Sequence, residues 1–202
     1  MAYMKYIHDH PSAVPPAPLR INVDGTAGTG KSWLIWSITQ AIRELFGDQQ
    51  KDLVARLAPT GIAAYGIRGW TINSGLAIPV KEPRSGMYSL NSAALNRAQS
   101  RWKDIKLVIL DEKSMIGRAQ LGRMDRRLRQ IRSIPTEIFG NIPIVMFGDF
   151  AQLPPVGDSP LYSTSETRST GLRSLRMEGL NAYRSFDKSI TLTTVHRQAG
   201  TD

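Results

Sequence analysis

No cysteine occurs among the 202 residues, which excludes a disulfide scaffold, a thiol nucleophile and a thiolate metal site. No apolar run approaches the ~20 residues that carry a helix across a bilayer. The first twenty residues hold four prolines and nothing resembling the apolar stretch of a secretion signal. The expectation is a soluble, intracellular protein with no membrane partner. Histidine is scarce as well. Two of the three, His8 and His10, flank Asp9 near the start, where residues 1–18 read as a flexible lead-in ending in Pro15, Pro16 and Pro18.

Acidic residues are outnumbered 17 to 26 by Lys and Arg, giving a net charge of +9. Such a balance favours a polyanionic partner. The excess is uneven, since Arg101 to Arg132 holds 10 basic and 4 acidic residues. Each arginine there reads first as part of a solvated helix face; together they lend support to nucleic acid.

From residue 19 to 202 the pattern is one of short apolar runs alternating with helical spacing. Strand candidates are Leu19–Asp24, Leu53–Ala58, Leu107–Leu110, Ile142–Phe147 and Ile190–Val195. Helical stripes fall at Leu34, Ile38, Ala41, Ile42 and Leu45, and again at Leu121, Met124, Leu128 and Ile131. This alternation predicts an α/β domain, a mainly parallel sheet with helices on both faces. Residues 79–100 break the rhythm with Pro79, Pro83 and Gly86 before a helical stretch from Ser89 to Trp102, and read either as an insertion projecting from the sheet or as a long connection.

Gly25, Thr26, Ala27, Gly28, Thr29, Gly30, Lys31 and Ser32 spell G-x-x-x-x-G-K-S between a strand and an amphipathic helix. Glycines there let successive backbone N–H groups curl around phosphate oxygens, and the helix start adds its positive dipole end. Lys31 would reach the β- and γ-phosphates of ATP, and the Ser32 hydroxyl would hold Mg²⁺. Asp111 and Glu112 close the apolar strand Leu107–Leu110, expected to neighbour the phosphate loop. Asp111 would serve the metal through its water shell, and Glu112 would polarise the attacking water. Gln152, stiffened from behind by Pro154 and Pro155, would orient water or sense the γ-phosphate. A Glu–Gln pair favours hydrolysis over a small P-loop kinase. A nucleotide-gated DNA-binding module without turnover is the other alternative.

In chain order, GTAGTGKS, LAPTGIAAYGIRGWTINS, VILDEKSMIG, FGDFAQLPPV and TVHRQ resemble the motifs of Pif-one-like helicases of superfamily one, and look closest to those of Helitron transposons and their relatives. The resemblance covers roughly residues 19–198. It implies a RecA-like motor domain that uses ATP and Mg²⁺ to move 5′ to 3′ along single-stranded DNA and to open forked duplex. It also implies DNA contacts at Pro59, Thr60, Gly61, Thr71, Asn73 and Ser74, a wedge within residues 79–100, and an arginine, Arg197, that reaches the γ-phosphate. A nuclear location, with a mitochondrial one as alternative, and work in DNA repair, recombination and telomere maintenance are further implications.

Two positions and one absence depart from the family pattern. Asn73 stands where T-I-H-S has histidine, Lys113 sits in D-E-x-S-M in place of an apolar residue, and no glutamine precedes the phosphate loop, the first being Gln40. The family's second RecA-like domain would follow Asp202, so residues 1–202 are expected to be the first.

Overall fold

The computed structural model describes residues 1–13, 16–47, 51–80, 89–163 and 172–195. Six short strands form one sheet: β1 (Arg20–Gly25), β2 (Val54–Ala58), β3 (Trp70–Thr71), β4 (Leu107–Leu110), β5 (Ile144–Gly148) and β6 (Lys188–Leu192). Every pairing is parallel and the order is β3-β2-β4-β5-β1-β6. All carboxyl ends therefore share one side of the sheet, which is where open α/β sheets bind ligands. The expected strands are present with small shifts. The last one starts earlier than its apolar run suggests, because Lys188 and Ser189 pair with Ile21 and Asn22 of β1.

Strand side chains alternate between two cores, as a period of two requires. Val108 and Leu110 of β4 join Ile144 and Met146 of β5 on one face. Leu107 and Ile109 join Val145 and Phe147 on the other. Helices cover both faces, as the alternation of elements predicted. The second face is closed by α1 (Ala2–Asp9), α2 (Lys31–Phe46) and α3 (Gly61–Gly66), through Met4, Ile35, Ile42 and Ala64. The first is closed by α4 (Ile72–Gly75), α5 (Ser92–Trp102), α6 (Arg118–Arg132) and α7 (Arg173–Arg184), through residues such as Ile72, Trp102, Leu121 and Ala182.

Several local readings differ from the structure. The start of the lead-in is helical, because α1 buries Met4 and sets the His8 ring edge-on against Phe46 of α2, 5.2 Å between centroids. The most buried stripe of α2 runs Ile35, Thr39, Ile42, with Leu34, Ile38 and Leu45 only partly covered beside it. Thr39 fits because its hydroxyl donates to the Ile35 carbonyl at 2.8 Å. Within 79–100, Asn91 caps α5 by accepting from the Ala94 N–H; Trp102 anchors that helix, donating its indole N–H to the Gly75 carbonyl at 3.0 Å. Residues 81–88 lie outside the described residues.

Helices α6 and α7 touch backbone to backbone. A Cβ placed on Gly179 would sit 1.8 Å from the Arg118 carbonyl oxygen, and one on Gly122 would sit 2.1 Å from that of Leu175. Only glycine permits so close a crossing.

Candidate nucleotide-binding site

The phosphate-loop motif occupies the turn from β1 into α2. Gly28 and Gly30 have φ of 84° and 87°, in the left-handed region that costs glycine almost nothing. The Thr29 hydroxyl closes the loop by donating to the Thr26 carbonyl at 2.8 Å. Gly30 is the N-cap of α2 and no side chain caps that end. The first helical N–H groups, which have no intrahelical partner, thus face outward beside the loop. The Lys31 ammonium donates to the carbonyls of Gly25 at 2.7 Å and Thr26 at 2.9 Å. Two of its three N–H bonds are used, which leaves one for an anion.

Asp111 and Glu112 follow β4. That strand does not neighbour β1, contrary to expectation: β5 lies between them. The loop carrying Gln152 therefore emerges between the phosphate loop and the acidic pair. Asp111 is 7% exposed, and its carboxylate accepts the Glu112 N–H at 2.9 Å. Burial pushes its pKa up; that hydrogen bond opposes the shift, the Glu112 charge adds to it, and the Lys31 charge reduces it. Glu112 itself holds φ 53°, ψ 48°, a left-handed conformation that strains a residue with a Cβ. Behind it, the Asp149 carboxylate accepts the Ala151 N–H at 2.9 Å, and the Gln152 N–H donates to the Asp149 carbonyl at 3.0 Å. A turn so fixed aims Gln152 back toward β4.

One cleft of about 380 Å³ gathers Ala27, Gly28, Gly30, Lys31, Ser32, Asp111, Glu112 and Gln152. Trp33 also lines it, a residue that motif reading passed over although it directly follows G-K-S. The arrangement combines a cationic cradle with two carboxylates and an amide, a set suited to a polyphosphate and an activated water.

Lys113 does not add its charge to the acidic pair. Its side chain is fully buried and turned to β1, where the ammonium donates to Asp24 at 2.7 Å and lies 4.7 Å from the centre of the Phe150 ring. Burial lowers its pKa, and Asp24 and then Asp149 oppose that shift. The lysine thus ties the ends of β1 and β4 to the start of the Gln152 loop.

The residues marked for DNA lie at and just past the carboxyl ends of β2 and β3. Thr60 caps α3, its oxygen accepting the Ala63 N–H at 3.2 Å. Thr71 caps α4, and its hydroxyl donates to that of Ser74 at 3.0 Å. Asn73 donates to the carbonyls of Ile78 at 3.2 Å and Pro79 at 3.4 Å. It lines a separate cleft of about 420 Å³ with Met115, Gln120, Arg123 and Val156. Pro59 and Gly61 flank Thr60 on the same turn. Arg197 lies outside the described residues.

The basic run is not the solvated face that its composition suggests. Arg127 is fully buried and Arg118 is 6% exposed; Arg126 pairs with Glu178 of α7, and Arg129 pairs with Asp125. The Arg126–Glu178 pair ties α6 to α7, whereas Arg129 and Asp125 pair within α6.

A family model for PIF1-like helicases matches residues 7–201. The ATP-dependent DNA helicase RRM3 of Saccharomyces cerevisiae is 30% identical over 174 residues, 86% of this chain and 22% of that protein. The ATP-dependent DNA helicase PIF1 of Candida albicans is 30% identical over 176 residues, 87% of this chain and 19% of that protein. The solved structure of Pif1 helicase from Bacteroides in complex with ADP-AlF3 and single-stranded DNA superposes with a TM-score of 0.64 at 25% identity, covering 99% of this chain and 43% of that one. The chain spans about a fifth of the length of the curated relatives it matches.

Proposed function

The chain belongs to the PIF1-like helicase family, and from that premise we propose that residues 1–202 form the nucleotide-binding motor domain of an ATP-dependent DNA helicase. The observation that carries this reading is the convergence of Lys31, Ser32, Asp111, Glu112 and Gln152 on one cleft, although they come from three separate loops at the carboxyl ends of β1, β4 and β5.

The donors fit Mg²⁺, a hard cation that takes oxygen ligands and keeps several waters. Ser32 offers a hydroxyl and Asp111 a buried carboxylate on the same cleft, and a cation there would offset the burial that raises the Asp111 pKa. The metal would supply positive charge to the β- and γ-phosphate oxygens. The loop N–H groups and Lys31 bind and orient those phosphates. Glu112 accepts a proton from the water that attacks the γ-phosphorus; the bond from phosphorus to the bridging oxygen breaks, leaving ADP and phosphate. Gln152 holds that water in line and reports the γ-phosphate to the rest of the chain. A carboxylate and an amide placed for water favour hydrolysis over transfer to a small acceptor.

For single-stranded DNA we assign Pro59, Thr60, Gly61, Thr71, Asn73 and Ser74. Thr60 is the best placed of these to donate, since its oxygen accepts the capping N–H and its own hydrogen remains for a phosphate. Forked duplex DNA and translocation from 5′ to 3′ belong to the same proposal, with residues 79–100 as the wedge and Arg197 as the arginine that reaches the γ-phosphate.

The chain spans about a fifth of its curated relatives, and an arginine supplied across the nucleotide from outside a motor domain is typically worth about 10³–10⁵ in rate. Residues 1–202 alone are therefore expected to bind Mg²⁺-ATP, hydrolyse it slowly, hold single-stranded DNA in a salt-sensitive way and separate no strands. Hydrolysis and strand-separation assays on this chain, with Lys31→Ala beside it, test the proposal. Rapid strand separation by residues 1–202 alone, lost in Lys31→Ala, would refute the division of labour.

A further inference from the structure

Among the described residues, the proposed site leaves the base of the nucleotide without a partner. The polar side chains of the cleft, Lys31, Ser32, Asp111, Glu112 and Gln152, are all committed to phosphate, metal or water. What remains is Trp33, the one aromatic residue lining that cleft among the described residues.

Trp33 differs from the other three tryptophans. Trp102 is buried and hydrogen-bonded. Trp70 packs against the first core. Trp36, one turn along α2, lies under two guanidinium groups, with Arg56 at 5.2 Å and Arg68 at 4.9 Å from its ring. Trp33 is 73% exposed, and no ring or cation contact is formed to it among the described residues. A large apolar side chain held out in water is the informative exception to burial. Its position adds direction, because a helical side chain leans over the preceding turn, and for Trp33 that turn is the phosphate loop.

We propose that Trp33 is the base platform of the nucleotide cleft, stacking on the purine ring of the bound nucleoside triphosphate. The inference rests on the nucleotide reading above and adds how the base is recognised. Every base has a π-face, so stacking tolerates different bases, whereas a site that hydrogen-bonds the base edge rejects the wrong one by several orders of magnitude. The chain should therefore bind ATP and GTP alike and hold pyrimidine nucleotides, which offer less area, more weakly.

The test is calorimetric titration of the 202-residue chain, at fixed Mg²⁺, with ATP, GTP, CTP and inorganic tripolyphosphate. Trp33→Ala and Trp33→Phe are titrated beside it. ATP and GTP are expected to bind within about fivefold of each other, and CTP more weakly. Trp33→Ala should weaken ATP roughly ten- to hundredfold, with the loss confined to ligands that carry a base, and Trp33→Phe should recover most of it. Equal losses for ATP and tripolyphosphate in Trp33→Ala would make Trp33 a structural residue and overturn the proposal. So would an unchanged ATP affinity in Trp33→Ala, or a preference of the parent chain for ATP over GTP beyond a hundredfold. A parent chain that binds neither tripolyphosphate nor ATP would overturn the nucleotide reading itself, an outcome separate from the others.

Discussion

Lys113 and Asp24 form an ion pair whose two ends differ in burial, and that difference predicts unequal consequences for removing either partner. The lysine is fully buried, whereas the Asp24 side chain is 35% exposed. Asp24→Asn strands an ammonium in the interior, with the Phe150 face and a more distant Asp149 as its remaining support. Breaking a buried pair in this way costs about 3–5 kcal/mol. For a chain of this size, Tm should fall by roughly 6–20 °C, nearer the lower figure because Asp149 and the new amide oxygen compensate in part. Lys113→Met leaves instead a carboxylate that water can reach and a side chain of similar volume beside Phe150. Replacing buried charge by a hydrophobe of matching size is often neutral or stabilising, so Tm should hold or rise. The pH dependence gives an independent check. With the folded pKa of Lys113 depressed below its ordinary 10.5, the unfolded chain binds more protons between those two values, and stability should rise with pH across that window. Lys113→Met should flatten this slope. Thermal unfolding followed by circular dichroism measures both effects. A Lys113→Met variant that loses as much as Asp24→Asn would refute the reasoning.

Gly179→Ala would force the α6–α7 contact apart by roughly 1.5 Å, and overpacking of this kind costs about 1–3 kcal/mol against the ~1 kcal/mol alanine gains in a helix. Tm should fall, whereas Gly66→Ala, with nothing within 4 Å of the new methyl group, should be neutral or slightly stabilising in the same scan. Glu112→Gln should keep Mg²⁺-ATP binding and suppress turnover, because an amide fills the site without accepting a proton; equal loss of binding in Glu112→Gln and Asp111→Asn would remove their separate roles. Asp111→Asn should also stabilise the nucleotide-free chain at neutral pH. The Asp111 pKa is raised in the fold above its ordinary 3.8, so stability is lost as pH climbs from 3.8 through the raised value, and the full cost persists above it. A nucleotide-free Asp111→Asn variant less stable than the parent at pH 7 would contradict that sign.

Features set by a few adjacent residues could be read from sequence. The phosphate loop needs glycines at fixed positions, and Leu107–Leu110 is apolar throughout because both of its faces are buried. What escaped depends on distant partners. β3 is two residues long and exists only as an edge to β2. The buried stripe of α7 is built partly from Gly179 and Ala182; Gly179 serves the close approach to α6, and neither residue carries much hydrophobic signal. Burial of Arg127 follows from the packing of α6, and the turn of Lys113 toward Asp24 from the meeting of the ends of β4 and β1, where charge counts suggested solvent or the acidic pair. Strand order is non-local too, so the placement of β5 between β1 and β4 was invisible. Trp33 was legible as a residue, but its exposure at the cleft was not.

The central claim, that this cleft binds Mg²⁺-ATP through the phosphate loop, is tested most directly by thermal unfolding of the parent chain and Lys31→Ala with and without nucleotide. Ligand at a hundred times its dissociation constant adds about 2.7 kcal/mol to stability, which for this size raises Tm by roughly 5–11 °C. Lys31→Ala should fold as the parent does and lose most of that rise. A parent chain whose unfolding is unmoved by millimolar Mg²⁺-ATP, or a Lys31→Ala variant stabilised as fully as the parent, would contradict the account.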